Sequence, residues 1–115
     1  MMPSNVATRI AARVVLALTV CWAAGAPAAS GNPAAGEEKS ATCAGCHGIT
    51  GWRNAYPAYR VPKLGGQNAE YLVAALKAYQ TKQRAHSTMQ AIAATLSDED
   101  IADLAAYFSA RGGDQ

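Results

Sequence analysis

Apolar residues are arranged in two different ways along the chain. Val14 to Ala24 is an uncharged, mostly apolar stretch without period. Further on, apolar residues recur at helical spacing. Tyr71, Leu72, Ala75, Leu76 and Tyr79 form one stripe of a helix expected over 69–82, with Asn68 as its cap. Ile101, Leu104, Ala105 and Phe108 form a second stripe. Ser97-Asp98-Glu99-Asp100 opens that last helix, placing three carboxylates near its positive end, and Gly112 ends it. Asn32-Pro33 is a start signal for a first helix that Ala34 to Ala41 can continue. Residues 48–67 hold Gly48, Gly51, Pro57, Pro62, Gly65 and Gly66 and no period, which predicts a long loop. A shorter loop, Gln83 to Thr88, leads to Met89, and Gln90 to Thr95 can add one turn. No alternating strand pattern and no internal repeat occurs. The pattern predicts an all-α protein of short helices joined by irregular loops.

The N-terminal stretch reads as an export signal. Arg9 and Arg13 precede the apolar run without any acid, and Ala26-Pro27-Ala28 is a small-x-small cleavage pattern. The expected boundaries are a cleaved secretory signal peptide over 1–28 and one domain over 29–115. An uncleaved membrane anchor is the alternative, although Gly25 and Pro27 break the run early for a spanning helix. Cys21 follows Leu18-Thr19-Val20, a loose likeness to a lipoprotein site with a bulky Val where a small residue is usual.

Composition narrows the class. At 115 residues with 50% hydrophobic and 16% charged residues, the chain suits one folded domain and not a disordered one. Residues 29–115 carry eight bases and eight acids, so the formal +2 of the whole chain lies in the leader and nucleic-acid binding is not expected. The charges are segregated, with six bases against one acid over 50–90 and five acids against one base over 98–115. A dipole of this kind can orient a partner. Much of the apolar fraction is alanine, at 27 residues. Twelve larger core candidates remain after the leader: Ile49, Val61, Leu64, Leu72, Val73, Leu76, Met89, Ile92, Leu96, Ile101, Leu104 and Phe108. That is thin for a chain this short, so a non-protein group is expected in the middle.

The candidate group is set by Cys43-Ala44-Gly45-Cys46-His47. Cys-x-x-Cys-His is the attachment signature of c-type haem. Two thiols three residues apart project from one face of a helical turn and can form thioethers with the two vinyl groups of one porphyrin. His47 then lies beneath the ring as an axial ligand. An exported chain meets haem outside the cytoplasm, where c-type attachment occurs in bacteria. Three other readings use the same residues. A thioredoxin-like pair needs a βαβ context that is not visible. A zinc site from Cys43, Cys46, His47 and His86 has adjacent ligands that strain a tetrahedron. A structural disulfide is compatible with export.

Met89 is the preferred second axial ligand, the only methionine after the leader, and a thioether there raises the potential. His86 and an open coordination site are the alternatives.

With these residues in view, the mature segment resembles the class I c-type cytochromes. It is most similar to small monohaem bacterial members, which also recur as the repeat unit of two-haem bacterial cytochromes. Four stretches carry the resemblance: Cys43 to Gly48; Pro62-Lys63-Leu64-Gly65-Gly66-Gln67; the loop from Arg84 to Met89; and Leu96 to Phe108. It implies a class I cytochrome c fold of short helices around one covalently attached haem. It implies that the first and last helices cross at Gly36, with Tyr107 or Phe108 packed across it. It also implies that the Pro62 carbonyl, with Pro57 as second candidate, accepts from the axial histidine, and that Leu64 packs on the ring. Two places depart from the family pattern. Trp52 and Tyr56 stand where relatives have a small, glycine-rich stretch, and Lys82 stands where relatives often have glycine. Trp52 is expected to cover a haem edge or to meet a partner.

The resemblance implies a periplasmic one-electron carrier with no enzyme activity, His47/Met89-ligated, working as a monomer or in transient complexes. Its partners would be a quinol-oxidising complex, an oxidase, a reductase or a dehydrogenase, with no nucleic acid and no membrane insertion after leader removal. Arg53, Arg60, Lys63, Lys82 and Arg84 are the candidate surface for an acidic partner. The alternatives are a cytochrome subunit of one dehydrogenase or oxidoreductase, and a ligand-binding haem sensor should Met89 not be an axial ligand.

Overall fold

The computed structural model describes residues 30–55 and 58–112. The leader assignment and Tyr56 and Pro57 lie outside the described residues. Five helices follow in order: α1 (Pro33–Lys39), α2 (Ala41–His47), α3 (Ala69–Gln80), α4 (Ser87–Ala93) and α5 (Asp98–Ala110). Among the described residues the only strand-like pairing is one isolated antiparallel bridge, Arg53 to Arg60. No described helix is long and apolar enough to cross a membrane.

Local chemistry sets most helix starts. Asn32 Oδ1 accepts from the Ala34 amide at 3.0 Å, with Pro33 at the first helical position. Asn68 Oδ1 accepts from the Tyr71 amide at 2.9 Å. Ser97 and Asp100 form a reciprocal box: the Asp100 amide donates to Ser97 Oγ and the Ser97 amide to Asp100 Oδ2. All three starts fall where the sequence places them.

Two boundaries differ from the expectation. The first helix stops at Lys39, because buried Ser40 turns its hydroxyl onto the Glu37 carbonyl at 2.7 Å and the chain re-enters helix as α2. Met89 lies inside α4 rather than in the preceding loop.

The packing is built on α5. It runs against α1 on one side and α3 on another, and α4 packs on α3. Gly36 makes the α1–α5 approach possible. A Cβ there would stand 2.1 Å from the Asp103 carbonyl oxygen and 2.7 Å from Tyr107 Cβ. A Cβ on Gly31 would stand as close to the Ala102 carbonyl oxygen, at 2.0 Å, a second close approach that its sequence context does not signal. Buried Asp103 then ties both ends of α1 to α5. It accepts from the Asn32 amide and from Lys39 Nζ, each at 2.7 Å, and Lys39 also reaches Asp100 at 2.7 Å. The paired ammonium holds the Asp100 carboxyl at about 2 and lowers Asp103 as well, while the two carboxylates raise Lys39.

The apolar core is small. Leu72, Leu104, Ala105, Tyr107 and Phe108 form its buried cluster, with Cys43, Leu64 and Leu96 against it. Tyr107 and Phe108 meet edge to face, their centroids 5.0 Å apart. Ile49, expected in the core, is 45% exposed. Leu64, Leu76, Met89, Ile92 and Leu96 are each only half-buried, and all five line one cavity. The missing apolar partner of these residues is therefore not another side chain.

Candidate functional site

The cavity measures about 570 Å³, within the range of about 300–1,000 Å³ usual for sites that hold a small molecule. α2 contributes Cys43, Cys46 and His47, and α4 contributes Met89. These two helices do not pack on each other, so they face the cavity from separate walls. Leu72 and Tyr79 of α3, and Leu104 and Phe108 of α5, close the apolar sides, and Pro62 and Leu64 come from the long loop.

Helix geometry explains the placement on α2. Residues three apart lie on one face, so Cys43 and Cys46 reach the cavity together, and His47 sits at the helix end beside them. Both thiols are free. Burial pushes the Cys43 thiol up from its ordinary value. That is opposite to the lowered thiol of a redox-active Cys-x-x-Cys pair.

His47 is oriented by a single bond. Its Nδ1 lies 2.6 Å from the Pro62 carbonyl oxygen. A carbonyl can only accept, so Nδ1 carries the proton and donates, and Nε2 is left with its lone pair. This is the state an imidazole needs in order to bind a metal, with an outer partner fixing the ring. The loop that supplies Pro62 is held at its far end, where the Gly66 amide donates to the Phe108 carbonyl at 2.9 Å.

His86 also lines the cavity, but both of its ring nitrogens are engaged. Nδ1 accepts from the Met89 amide at 3.3 Å, and the Asn54 side-chain amide lies 3.3 Å from Nε2. His86 is thus the N-cap of α4 rather than a solvated loop residue. Sequence reasoning missed this because histidine is not a usual cap residue. No group of three or more His, Cys, Asp or Glu side chains among the described residues could hold a metal ion, so the zinc reading has no site here.

The rim carries Arg60 and Arg84. Arg84 stacks its guanidinium over Tyr79, 4.7 Å from the ring centre. Trp52 does not line the cavity and is 43% exposed, against the expectation that it covers a haem edge.

The residues present fit a covalently held haem. Two thiols on one face, an imidazole with Nε2 available, a thioether on another wall and an apolar cavity between them are the donor set of a c-type centre. Such a set on an all-helical scaffold defines a small haem protein of the electron-transfer class. The family comparison reaches the same class: a cytochrome c model matches residues 33–110, and the chain belongs to the cytochrome c family. It is a monohaem class I c-type cytochrome that carries haem c and acts as an electron carrier.

The chain is 47% identical over 85 residues to cytochrome c-554(548) of Halomonas halodenitrificans, covering 71% of this chain and 99% of that protein. It is 41% identical over 83 residues to cytochrome c4 of Pseudomonas aeruginosa, covering 72% of this chain but 40% of that longer protein. A further relative is named thiosulfate dehydrogenase electron acceptor, from Thiomonas intermedia, 35% identical over 88 residues, covering 76% of this chain and 37% of that protein. Cytochromes of this family are generally carriers rather than enzymes, they exchange electrons with redox partners, and the bacterial ones are typically periplasmic.

Proposed function

We propose that the iron is held between His47 Nε2 and Met89 Sδ, with Cys43 and Cys46 as the thioether residues and Pro62 and Leu64 as the surround. The observation that carries this reading is the shared cavity. α2 and α4 bring the Cys-x-x-Cys-His residues and Met89 to it from separate walls, and the Pro62 bond frees Nε2. The haem supplies reversible one-electron chemistry at its iron. The chain's own part would be to offer His47 Nε2 and the Met89 thioether to the iron, to keep water out with Leu72, Leu104 and Phe108, and to orient His47 through Pro62. The chain is a carrier without enzyme activity of its own, as members of its family generally are.

Residues 1–28 act as a cleaved leader and the domain 29–115 works in the periplasm. The partner surface is the basic middle of the chain. Arg53, Arg60, Lys63 and Lys82 have no carboxylate within ion-pairing distance among the described residues, whereas Lys39 and Lys77 are paired. Exposed Ile49 and Trp52 lie in the same loop as three of these cations and supply its apolar element. An acidic redox protein fits that surface. The resemblance to a thiosulfate dehydrogenase electron acceptor supports a second reading, in which the donor is one dehydrogenase that holds this chain as its carrier.

The test is a visible spectrum of the holoprotein, oxidised, then reduced, then with carbon monoxide. A c-type reduced spectrum, a weak far-red sulfur-to-iron band when oxidised, and no response to carbon monoxide are expected. A c-type spectrum that shifts with carbon monoxide replaces the carrier reading with a ligand-binding haem, and a colourless protein removes the assignment at Cys43 and Cys46.

A further inference from the structure

α4 is seven residues long, too short to hold a helical shape unaided. Its position is set by its packing on α3 and by the bonds at its ends. The C-terminal end is held from α3, where Gln80 Nε2 donates to the carbonyls of Ala93 at 2.9 Å and Leu96 at 2.8 Å. The N-terminal end, which bears Met89 in its first turn, is held by the His86 cap and by Gln90 Nε2, which donates to the Arg84 carbonyl at 2.8 Å.

The ring of His86 is fixed on several sides. The Met89 N–H can only donate, so Nδ1 accepts and carries no proton, and the ring proton lies on Nε2. Nε2 is then a donor; Asn54 Nδ2, 3.3 Å from it, can only donate as well, so the side-chain amide is turned over to present its oxygen to Nε2. Tyr59 and Tyr79 flank the ring, their centroids 6.0 and 6.5 Å away, the second edge-on. Asn54 and Tyr59 belong to the loop ribbon closed by the Asn54 amide donating to the Tyr59 carbonyl at 2.9 Å. One imidazole thus joins the ribbon to the amide of Met89 itself. An Asn or Ser would cap α4 equally well, but neither offers a second nitrogen one ring-width away to reach the ribbon.

We propose that His86 is a positioning residue: through its cap on the Met89 amide and its tie to Asn54, it holds the Met89 thioether at the iron and sets how readily that ligand is displaced. The inference rests on Met89 ligation as proposed above. His86 does not itself bind iron. Losing it frees the first turn of α4 and raises the share of molecules with Met89 swung away, and an added ligand binds in proportion to that share.

The experiment titrates the oxidised holoprotein with imidazole while following the sulfur-to-iron band, in the wild type and in His86→Ala, His86→Asn and Asn54→Ala. His86→Ala is expected to weaken the band and to tighten imidazole binding about fivefold, the effect of one lost helix cap on the Met-off population. His86→Asn restores the cap without the tie and is expected to lie between His86→Ala and the wild type. Asn54→Ala removes only the tie, is expected to tighten binding about twofold, and keeps the question answerable should His86→Ala fail to fold. A wild-type band that is unchanged in His86→Ala or, where that variant is lost, in both others, with equal imidazole affinity, overturns the positioning role and leaves Met89 ligation standing. A wild type without the band overturns the ligation and this inference together.

Discussion

Gly36→Ala separates two effects of opposite sign. Alanine is the better helix former, so local propensity alone predicts a gain of about 1 kcal/mol in α1. The tertiary contact predicts a loss. The new Cβ would stand 2.1 Å from the Asp103 carbonyl oxygen, and ordinary contact begins near 3.4 Å, so α1 and α5 must part by about 1.3 Å. The obstacle is helix backbone, which cannot rotate away as a long side chain can. A gap of that size forfeits half or more of the dispersion attraction along the seam. It also stretches the two 2.7 Å bonds that Asp103 accepts from Asn32 and Lys39. Overpacking of this kind costs about 3 kcal/mol, which leaves a net loss of about 2 kcal/mol after the propensity gain. For a domain of this size the melting temperature should fall by about 10 °C. The assay is guanidinium and thermal unfolding of the holoprotein, with the visible spectrum as a check that the haem environment is intact. A variant as stable as the wild type, or more so, would refute the reasoning, because it would mean that α1 does not press on α5 at this residue.

Lys82 has φ 61, the left-handed region that favours glycine, where its amide closes the end of α3 on the Tyr79 carbonyl. Lys82→Gly should stabilise the holoprotein by about 1 kcal/mol in a denaturant melt, and a loss would show that the lysine side chain has a role. On acidification, the Asp100 carboxyl at about 2 in the fold is compared with 3.8 when free, so the unfolded chain takes up the proton first. Asp103 shifts in the same direction. Stability from this pair should be fully present above about pH 5 and should drain away between about pH 4 and pH 2; Asp100→Asn should flatten that part of a pH–stability profile. Trp52→Ala should change stability by less than about 0.5 kcal/mol, since the ring is exposed and clear of the cavity, yet slow electron exchange with an acidic partner at low salt. An equal rate in stopped-flow kinetics would remove Trp52 from the docking surface.

Chemistry that acts over three or four residues is legible in the sequence itself. Asn32, Asn68 and Ser97 cap helices because their side-chain oxygens reach amides two or three positions on, a distance the chain itself sets. Cys43, Cys46 and His47 share one helical turn for the same reason, which is why five consecutive residues suffice to infer the haem site. The shortage of large apolar side chains likewise implies an added group, and the cavity stands where that group is needed.

What only the tertiary structure decides involves partners far apart in the chain. Asp103 reads as one more acid on a polar helix face, and it is buried because Lys39 and the Asn32 amide, 64 and 71 residues away, converge on it. Ile49 reads as core and is exposed, in a turn closed by the Trp52 amide donating to the Ile49 carbonyl at 3.2 Å. The turn over Gln90 to Thr95 is legible, but the start of its helix ahead of Met89 is not, since its cap is a histidine whose second nitrogen answers to Asn54, 32 residues earlier. Pro62 can be singled out only by resemblance; what makes its carbonyl the partner of His47 is a loop whose far end is fastened to Phe108 of α5. Local spacing puts Cys43, Cys46 and His47 together on α2, and long-range packing decides which side chains face them across the cavity and what orients His47.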